Sequence, residues 1–200
     1  MSNTVNIALP IILASKSPRR KRMLESLDID FMTVESGVNE DAISFENPEH
    51  AVRLLSIAKA EAVSCRYPDH WVIGADSIVT IDDILLNKPY SRTEAKSMLA
   101  RLSGRTHRVL TGYSIFNQTV GHRFTDVVIS SVTFKTLCKA EIDWYTSKQE
   151  PYDKAGGYAI QGIGAFMIRC ISGSYTNVVG LPLAEVVDHL AACGAMTRQP

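Results

Sequence analysis

The residues that best indicate chemistry are the cations that follow a short apolar run at residues 11–14. Ser17 is a good N-cap and Pro18 suits the first helical position, so a helix is predicted to begin there. Arg19 and Arg20 then fall in the first turn with two further basic residues, where the helix dipole opposes each exposed cation by about 0.3–1 kcal/mol. Backbone N–H groups and arginine side chains together bind phosphate well. The segment therefore indicates either an anion site or a solvated basic patch at a helix end.

Two carboxylates lie where they could bind a divalent cation. Asp76 directly follows a buried apolar run at residues 71–75, and ligands of α/β sheets bind at the carboxyl ends of strands. It could hold Mg²⁺ or accept a proton from water, but an Asx-turn is an equally ordinary use of an aspartate there. Glu40 lies in a polar loop and is a second candidate, although such an acid on its own is more typical of the solvated surface.

Two lysines and a glycine-rich loop add further polar groups. Lys59 lies in a predicted helix among small apolar neighbours, and Lys88 lies between an apolar run and a predicted helix. A single lysine is most often solvated, so neither indicates a site by itself. Residues 153–162 are glycine-rich, polar and too long for a tight turn, which is typical of loops that contact ligands.

Several common catalytic patterns are absent from the sequence. It contains no Walker A loop, no dinucleotide-binding fingerprint, no G-x-S-x-G and no H-E-x-x-H. The five histidines are isolated along the chain and are interpreted as structural or surface residues. The four cysteines, Cys65, Cys138, Cys170 and Cys193, lack the spacing of a zinc site and are interpreted as reduced core residues, which fits a reducing compartment.

The composition excludes several classes of protein. Lys plus Arg and Asp plus Glu are both 21, so the net charge is zero, whereas a nucleic-acid-binding protein usually carries a basic excess. Hydrophobic residues make up 46% of the chain, enough for a folded core. The apolar stretch near the N-terminus is too short to span a membrane and lacks the features of a secretion signal. We therefore expect a cytoplasmic protein with neither a nucleic-acid nor a membrane partner.

The elements that must position these residues have an α/β pattern, with short apolar runs alternating with helical periodicity. The β-rich runs 109–116 and 124–134 are joined by a polar turn and predict an antiparallel hairpin, so the sheet should be mixed. The chain after Gly194 is expected to be frayed. Other strands are predicted at residues 11–14, 31–34, 71–75, 78–81 and 168–171, and helices at 18–27, 48–66, 91–102, 140–147 and 181–193.

Taken together, these segments resemble the Maf family of nucleoside triphosphate pyrophosphatases. The resemblance begins with the pattern Leu13-Ala14-Ser15-x-Ser17-Pro18-Arg19-Arg20. It continues in order through Glu40, Lys59-Ala60, Gly74-Ala75-Asp76, Lys88-Pro89, Ser103-Gly104-x-x-His107, Glu150-Pro-x-Asp153-Lys154-Ala-Gly, Gln161-Gly162 and Val179-Gly180-Leu181-Pro182-Leu183. Each match alone is weak, but their order and spacing over residues 11–183 are specific.

The resemblance implies hydrolysis of a nucleoside triphosphate between the α and β phosphates. It implies one domain over residues 7–195, with a strongly twisted mixed sheet flanked by helices and a nucleotide cleft between two lobes. Ser15, Arg20, Lys59 and Lys88 would hold the triphosphate. Glu40 and Asp76 would bind the divalent metal, Mg²⁺ or Mn²⁺, and the attacking water, with Asp76 as the proton acceptor. Relatives in the family suggest a homodimer.

Three positions resemble the subgroup that acts on dTTP and UTP. These are Arg19, Ser77 and Gln161. Arg19 and Gln161 match the subgroup, whereas Ser77 replaces the commoner threonine. CTP and modified pyrimidine nucleotides are further candidate substrates. A glutamine amide donates and accepts, which suits the edge of thymine or uracil. The implied role is nucleotide house-cleaning, with a link to cell-division arrest. The alternatives are a non-catalytic nucleotide-binding regulator of septum formation, or a pyrophosphatase for 7-methyl-GTP or damaged purine nucleotides.

Overall fold

The computed structural model describes residues 5–7, 10–40 and 47–198 and divides the chain into two compact units. The first contains the described residues up to 76, residues 111–127 and those from 180 onward. The second contains residues 77–110 and 128–179. The strands are β1 (Val5–Ile7), β2 (Ile11–Leu13), β3 (Phe31–Thr33), β4 (Trp71–Ile81), β5 (Ile84–Leu86), β6 (Thr106–Asn117), β7 (His122–Phe134), β8 (Ile168–Ser172) and β9 (Met196–Arg198). The α-helices are α1 (Pro18–Glu25), α2 (Pro48–Ser64), α3 (Arg92–Leu102), α4 (Lys139–Tyr145), α5 (Tyr175–Val179) and α6 (Leu183–Ala192).

Seven of these strands form one sheet in the order β3-β2-β4-β6-β7-β8, with β5 paired to β4. Strand β2 pairs in parallel with β3 and β4, whereas β5 and β8 pair antiparallel with their neighbours. Only four residues, 118–121, join β6 to β7, which is too short for a parallel crossover. The predicted hairpin and the α/β class with a mixed sheet are therefore confirmed.

In the first unit, helix α2 packs unusually close to two strands. Its buried face contains larger apolar residues and also the small side chains of Ser56 and Ala60. A Cβ added at Gly74 of β4 would lie 2.4 Å from the Ser56 carbonyl oxygen, and one at Gly112 of β6 would lie 2.1 Å from the Val52 carbonyl oxygen. Both strands thus need glycine where the helix backbone crosses them.

In the second unit, β4 turns into β5 at Asp82 and Asp83. Both residues have positive φ, +52° and +59°, and Ile81 pairs with Ile84 across them. Two consecutive left-handed residues are the signature of the tight type I′ hairpin turn, in which aspartate is well tolerated. The apolar core of this unit gathers around Leu99, Phe134 and other side chains of α3, β6 and β7.

Three local predictions are wrong. The cysteines are not core residues, because Cys65, Cys138 and Cys170 are exposed and Cys193 is half-buried. The strand expected to end at residue 75 continues through Asp76 to Ile81. It continues because ten of its eleven residues are buried and its last three residues pair with β5. Asp76 therefore lies within a strand, and the Asx-turn interpretation fails. The tail expected to fray after Gly194 instead forms β9, whose backbone pairs antiparallel with β1. Of the helices in the described part of the chain, none combines the length and apolar composition that a transmembrane span requires.

The buried His107 of the second unit should make stability depend on pH. His107 is 1% exposed, and its Nε2 atom lies 2.7 Å from the Tyr158 hydroxyl oxygen. Burial lowers the pKa of the imidazole to about 4. An unfolded histidine protonates near pH 6.5, so between pH 6.5 and 4 the unfolded chain binds more protons and stability falls as the pH falls. We expect the titration of this residue to lower the free energy of unfolding by about 2 kcal/mol as the pH falls from 7 to 5.

Urea unfolding at pH 7 and pH 5 measures this effect in the wild type and in His107→Gln. Glutamine can still form a hydrogen bond with Tyr158 but does not titrate in this range. The variant should lose about 2 kcal/mol less than the wild type over the same interval. An identical loss in both proteins would show that His107 is not held neutral by burial.

Candidate active site

The start of α1 forms in the way that the sequence predicts. The Ser17 hydroxyl accepts from the backbone N–H of Arg20 at 3.4 Å, and Pro18 is the first helical residue. The Ser15 hydroxyl accepts from the backbone N–H of Ser17 at 3.1 Å. Arg19, the next predicted site residue, is half-buried on the same helix. Capping thus fixes the direction in which the first turn of α1 points.

Arg20 is the anchored cation of this helix start. Its Nε donates to the carbonyl oxygen of Gly180 at 2.6 Å, and its Nη1 donates to the Ser15 hydroxyl at 3.3 Å. The side chain is 9% exposed, and desolvation lowers the pKa of its guanidinium, partly offset by the negative charge of Asp76. An arginine remains charged even so. Arg20 is therefore a pre-oriented cation that interacts electrostatically with Asp76 and Glu40.

Lys59 joins the two candidate carboxylates. It lies on the buried face of α2, and its ammonium nitrogen is 2.6 Å from Asp76 Oδ1 and 2.6 Å from Glu40 Oε1. The Lys59 and Asp76 side chains are only 8% and 11% exposed, while Glu40 is 51% exposed. Both contacts are charge-assisted hydrogen bonds in a partly dry environment, where such bonds are strong. The fold thereby brings together three residues that span 36 positions of the sequence, from 40 to 76.

The charges of this cluster are balanced among its own residues, with Arg20 and Lys59 positive and Asp76 and Glu40 negative. A polyanion that engages the two cations would leave the carboxylates without counter-charges. A divalent cation between the carboxylates would restore neutrality. Their oxygens already converge on one cationic atom, and carboxylate oxygen is the ligand that Mg²⁺ and Mn²⁺ prefer. The carboxylates of Asp76 and Glu40 therefore fit a divalent cation.

The other three predicted residues, Ser77, Lys88 and Gln161, lie in the second unit. Ser77 is half-buried in β4, whereas Lys88 and Gln161 are exposed. Gln161 Nε2 donates to the Tyr175 hydroxyl at 3.3 Å. The loop that carries Lys88 contacts the glycine-rich segment, because the backbone N–H of Gly156 donates to the Asn87 carbonyl at 3.1 Å.

Glu150 organises the segment that carries Gln161, a role that was not predicted. Its Oε1 accepts from the Tyr145 hydroxyl and from the backbone N–H of Gly164, each at 2.8 Å, and its Oε2 accepts from the backbone N–H of Ile163 at 3.0 Å. A Cβ at Gly162 would lie 2.2 Å from Oε2, so this φ +132° glycine admits the carboxylate. An acid in a polar loop gives no such signal in the sequence.

The chain is similar to known proteins over most of its length. The family model of Maf-like proteins matches residues 10–193. A protein of Syntrophus aciditrophicus (strain SB) named dTTP/UTP pyrophosphatase is 51% identical over 187 residues, 94% of this chain and 91% of that protein. One of the same name from Syntrophotalea carbinolica (strain DSM 2380 / NBRC 103641 / GraBd1) is 47% identical over 93% of this chain and 86% of that protein. A solved HAM1 protein from Coxiella burnetii is a weaker likeness, with 12% identity and a TM-score of 0.49 over 92% of this chain and 99% of that one. The chain belongs to the Maf-like protein family.

Proposed function

We propose that this chain is a nucleoside triphosphate pyrophosphatase that hydrolyses dTTP and UTP to the monophosphate and pyrophosphate. The observation that carries the proposal is the four-charge cluster of Arg20, Lys59, Asp76 and Glu40, in which anchored cations lie beside carboxylates. The relatives that share the family are named for this activity. A regulator that only bound nucleotide would not need the two carboxylates beside the cations.

In the proposed reaction, the triphosphate takes Arg20 and Lys59 as partners, with Ser15 and Lys88 as further phosphate ligands. Lys59 then exchanges its hydrogen bonds to carboxylate for bonds to phosphate. Water attacks the α phosphorus, Asp76 accepts its proton, and the bond from the α phosphorus to the bridging oxygen breaks. The electron pair leaves with pyrophosphate. Negative charge develops on this leaving group, so the fixed cations stabilise the transition state more strongly than the bound substrate.

A divalent metal, Mg²⁺ or Mn²⁺, held by Asp76 and Glu40, would contribute Lewis-acid stabilisation of phosphate charge. The chain itself positions the groups: α2 fixes Lys59, β4 fixes Asp76, and the Gly180 carbonyl orients Arg20. Exclusion of water from Lys59 and Asp76 strengthens both charges toward the substrate.

For the base, we propose that Arg19, Ser77 and Gln161 select a pyrimidine. The Gln161 amide can donate to O4 and accept from N3–H of thymine or uracil. Glu150 would preserve this selectivity by holding the backbone next to Gln161. A cytoplasmic location and a homodimer remain predictions.

The test is pyrophosphate release from a panel of dTTP, UTP, CTP, inosine triphosphate, 7-methyl-GTP and ATP with Mg²⁺ or Mn²⁺. We expect kcat/KM for dTTP and UTP to exceed that for the purine nucleotides by about tenfold or more. In ¹⁸O-water the label should appear in the monophosphate, because water attacks the α phosphorus. Preference for 7-methyl-GTP or inosine triphosphate would refute the pyrimidine selectivity, and no turnover on any nucleotide would favour a binding regulator.

A further inference from the structure

A second group of metal-binding side chains lies in the first unit, made of residues that the proposed reaction does not use. Within residues 5–7, 10–40 and 47–198, His122, His189 and Cys193 form the one group of three whose potential ligand atoms all lie within 4.8 Å of one another. The Nε2 atoms of the two histidines are 2.9 Å apart. All three residues are half-buried, and the cysteine is a free thiol. We call this group the His₂Cys cluster.

Regular secondary structure places the three ligands. His189 lies in the last turn of α6 and Cys193 is its C-cap, so the two residues are four positions apart and share a helix face. His122 is the first residue of β7 and arrives beside them through the β6–β7 hairpin. The Cys193 thiol donates weakly to the Leu190 carbonyl at 3.5 Å, which keeps it along the end of the helix.

An aromatic ring packs against each of the two imidazoles. The Phe124 ring stacks on His189 with centroids 3.6 Å apart and planes 19° apart. Trp71 meets His122 edge-on with centroids 5.1 Å apart. Such packing limits ring rotation, so the two Nε2 atoms stay directed toward each other. Preorganised imidazoles of this kind lower the cost of binding a metal ion.

The distance between the two histidine nitrogens is close to that of a tetrahedral site, and the sulfur lies within 4.8 Å of both. With bonds of about 2.05 Å to nitrogen and about 2.3 Å to sulfur, Zn²⁺ separates two nitrogen ligands by about 3.3 Å and a nitrogen from a sulfur by about 3.6 Å. The observed 2.9 Å between nitrogens needs to widen by less than about half an ångström. Imidazole and thiolate select zinc-like ions over Mg²⁺, Mn²⁺ and Ca²⁺, which prefer oxygen.

A pocket gives an ion access to the cluster. Its volume is about 460 Å³, and Trp71, Val120 and Ala192 line it together with the three candidate ligands. Three protein ligands leave a fourth tetrahedral position, which a water molecule from the pocket can fill. We propose that the His₂Cys cluster is a site for a late first-row transition metal ion, Zn²⁺ above all, separate from the carboxylate pair of the proposed nucleotide site. A bound ion would tie the start of β7 to the end of α6.

Cobalt provides a direct test, because a thiolate bonded to Co²⁺ gives a charge-transfer absorption that oxygen ligands do not. Metal-free full-length protein is titrated with Co²⁺ in excess Mg²⁺, which saturates carboxylate sites. We expect one equivalent of Co²⁺ to produce this band together with the strong visible bands of a tetrahedral ion. The readout does not depend on nucleotide hydrolysis, so it can fail or succeed independently of the proposed activity.

Variants identify the ligands. Cys193→Ser should abolish the charge-transfer band, and His122→Gln should weaken Co²⁺ binding by about tenfold or more. The matched controls Cys65→Ser and His70→Gln, changed in the same unit, should bind as the wild type does. A band that survives in Cys193→Ser, or disappears in Cys65→Ser, would overturn the assignment, as would the absence of any thiolate band in the wild type.

Wild-type protein alone gives a second measurement that no variant's folding can disturb. At a Zn²⁺ concentration about a hundred times Kd, the midpoint of thermal unfolding should rise by about 5–10 °C. X-ray absorption at the zinc edge should show two nitrogen ligands and one sulfur ligand. A first coordination shell of oxygen and nitrogen only would refute the His₂Cys cluster as the site.

Discussion

Asp76→Asn should reduce kcat for dTTP by about 10²–10⁴-fold, the contribution expected of a general base. An asparagine amide has almost the shape of the carboxylate but cannot accept the proton of the attacking water. Lys59 keeps its 2.6 Å contact with Glu40, so the cation stays in place for the triphosphate. Affinity for a non-hydrolysable dTTP analogue, measured by calorimetry, should therefore change by less than about threefold.

The matched control is Asp69→Asn, which removes an exposed carboxylate of the same unit just before β4. It should hydrolyse dTTP at the wild-type rate. If Asp76→Asn does the same, Asp76 is not the proton acceptor. If its kcat is unchanged and only nucleotide affinity falls, Asp76 acts by positioning Lys59 rather than in the chemical step.

Gly74→Ala should destabilise the protein by about 3 kcal/mol and lower the midpoint of thermal unfolding by about 6–12 °C. The new methyl group would lie 2.4 Å from the Ser56 carbonyl oxygen and 2.6 Å from the Ala60 backbone nitrogen. These are backbone atoms of α2 and cannot turn aside, so the helix must move away from β4. Lys59 lies on that helix and Asp76 on that strand, so hydrolysis should fall even in the folded fraction.

Gly121→Ala separates backbone strain from crowding. Gly121 has φ +66°, but a Cβ there would meet nothing within 4 Å. Left-handed alanine costs about 1 kcal/mol, so this variant should be destabilised less than Gly74→Ala and should keep full hydrolytic activity. Equal destabilisation of the two variants would mean that the close approach of α2 to β4 is not what requires glycine at residue 74.

Local patterns in the sequence were sufficient for α1 and the hairpin. Ser17 and Pro18 determine where α1 begins through short-range hydrogen bonding and a fixed φ, which are properties of adjacent residues. Lys59 was expected to lie in a helix, which is confirmed, but its burial was not predicted, because a single lysine is most often solvated. The role of Lys59 in hydrolysis stays a prediction that rests on the family resemblance.

Interactions between distant residues could not be predicted in this way. The apolar run before Asp76 ends in sequence, yet the strand continues because neighbouring strands satisfy its backbone. The strand β9 depends on pairing with β1, which lies about 190 positions earlier in the chain. His122 and His189 are 67 positions apart, so the interpretation of the histidines as isolated does not hold for these two in the folded chain.

The hydrogen bond from Arg20 to Gly180 has a consequence for how the protein is made. It joins residues 160 positions apart, so a ribosome must synthesise nearly the whole chain before the Arg20 guanidinium is oriented. Until then, the first helix presents its cations without the carbonyl that directs them. A nascent chain thus lacks the oriented Arg20 guanidinium of the proposed phosphate site until residue 180 has been added.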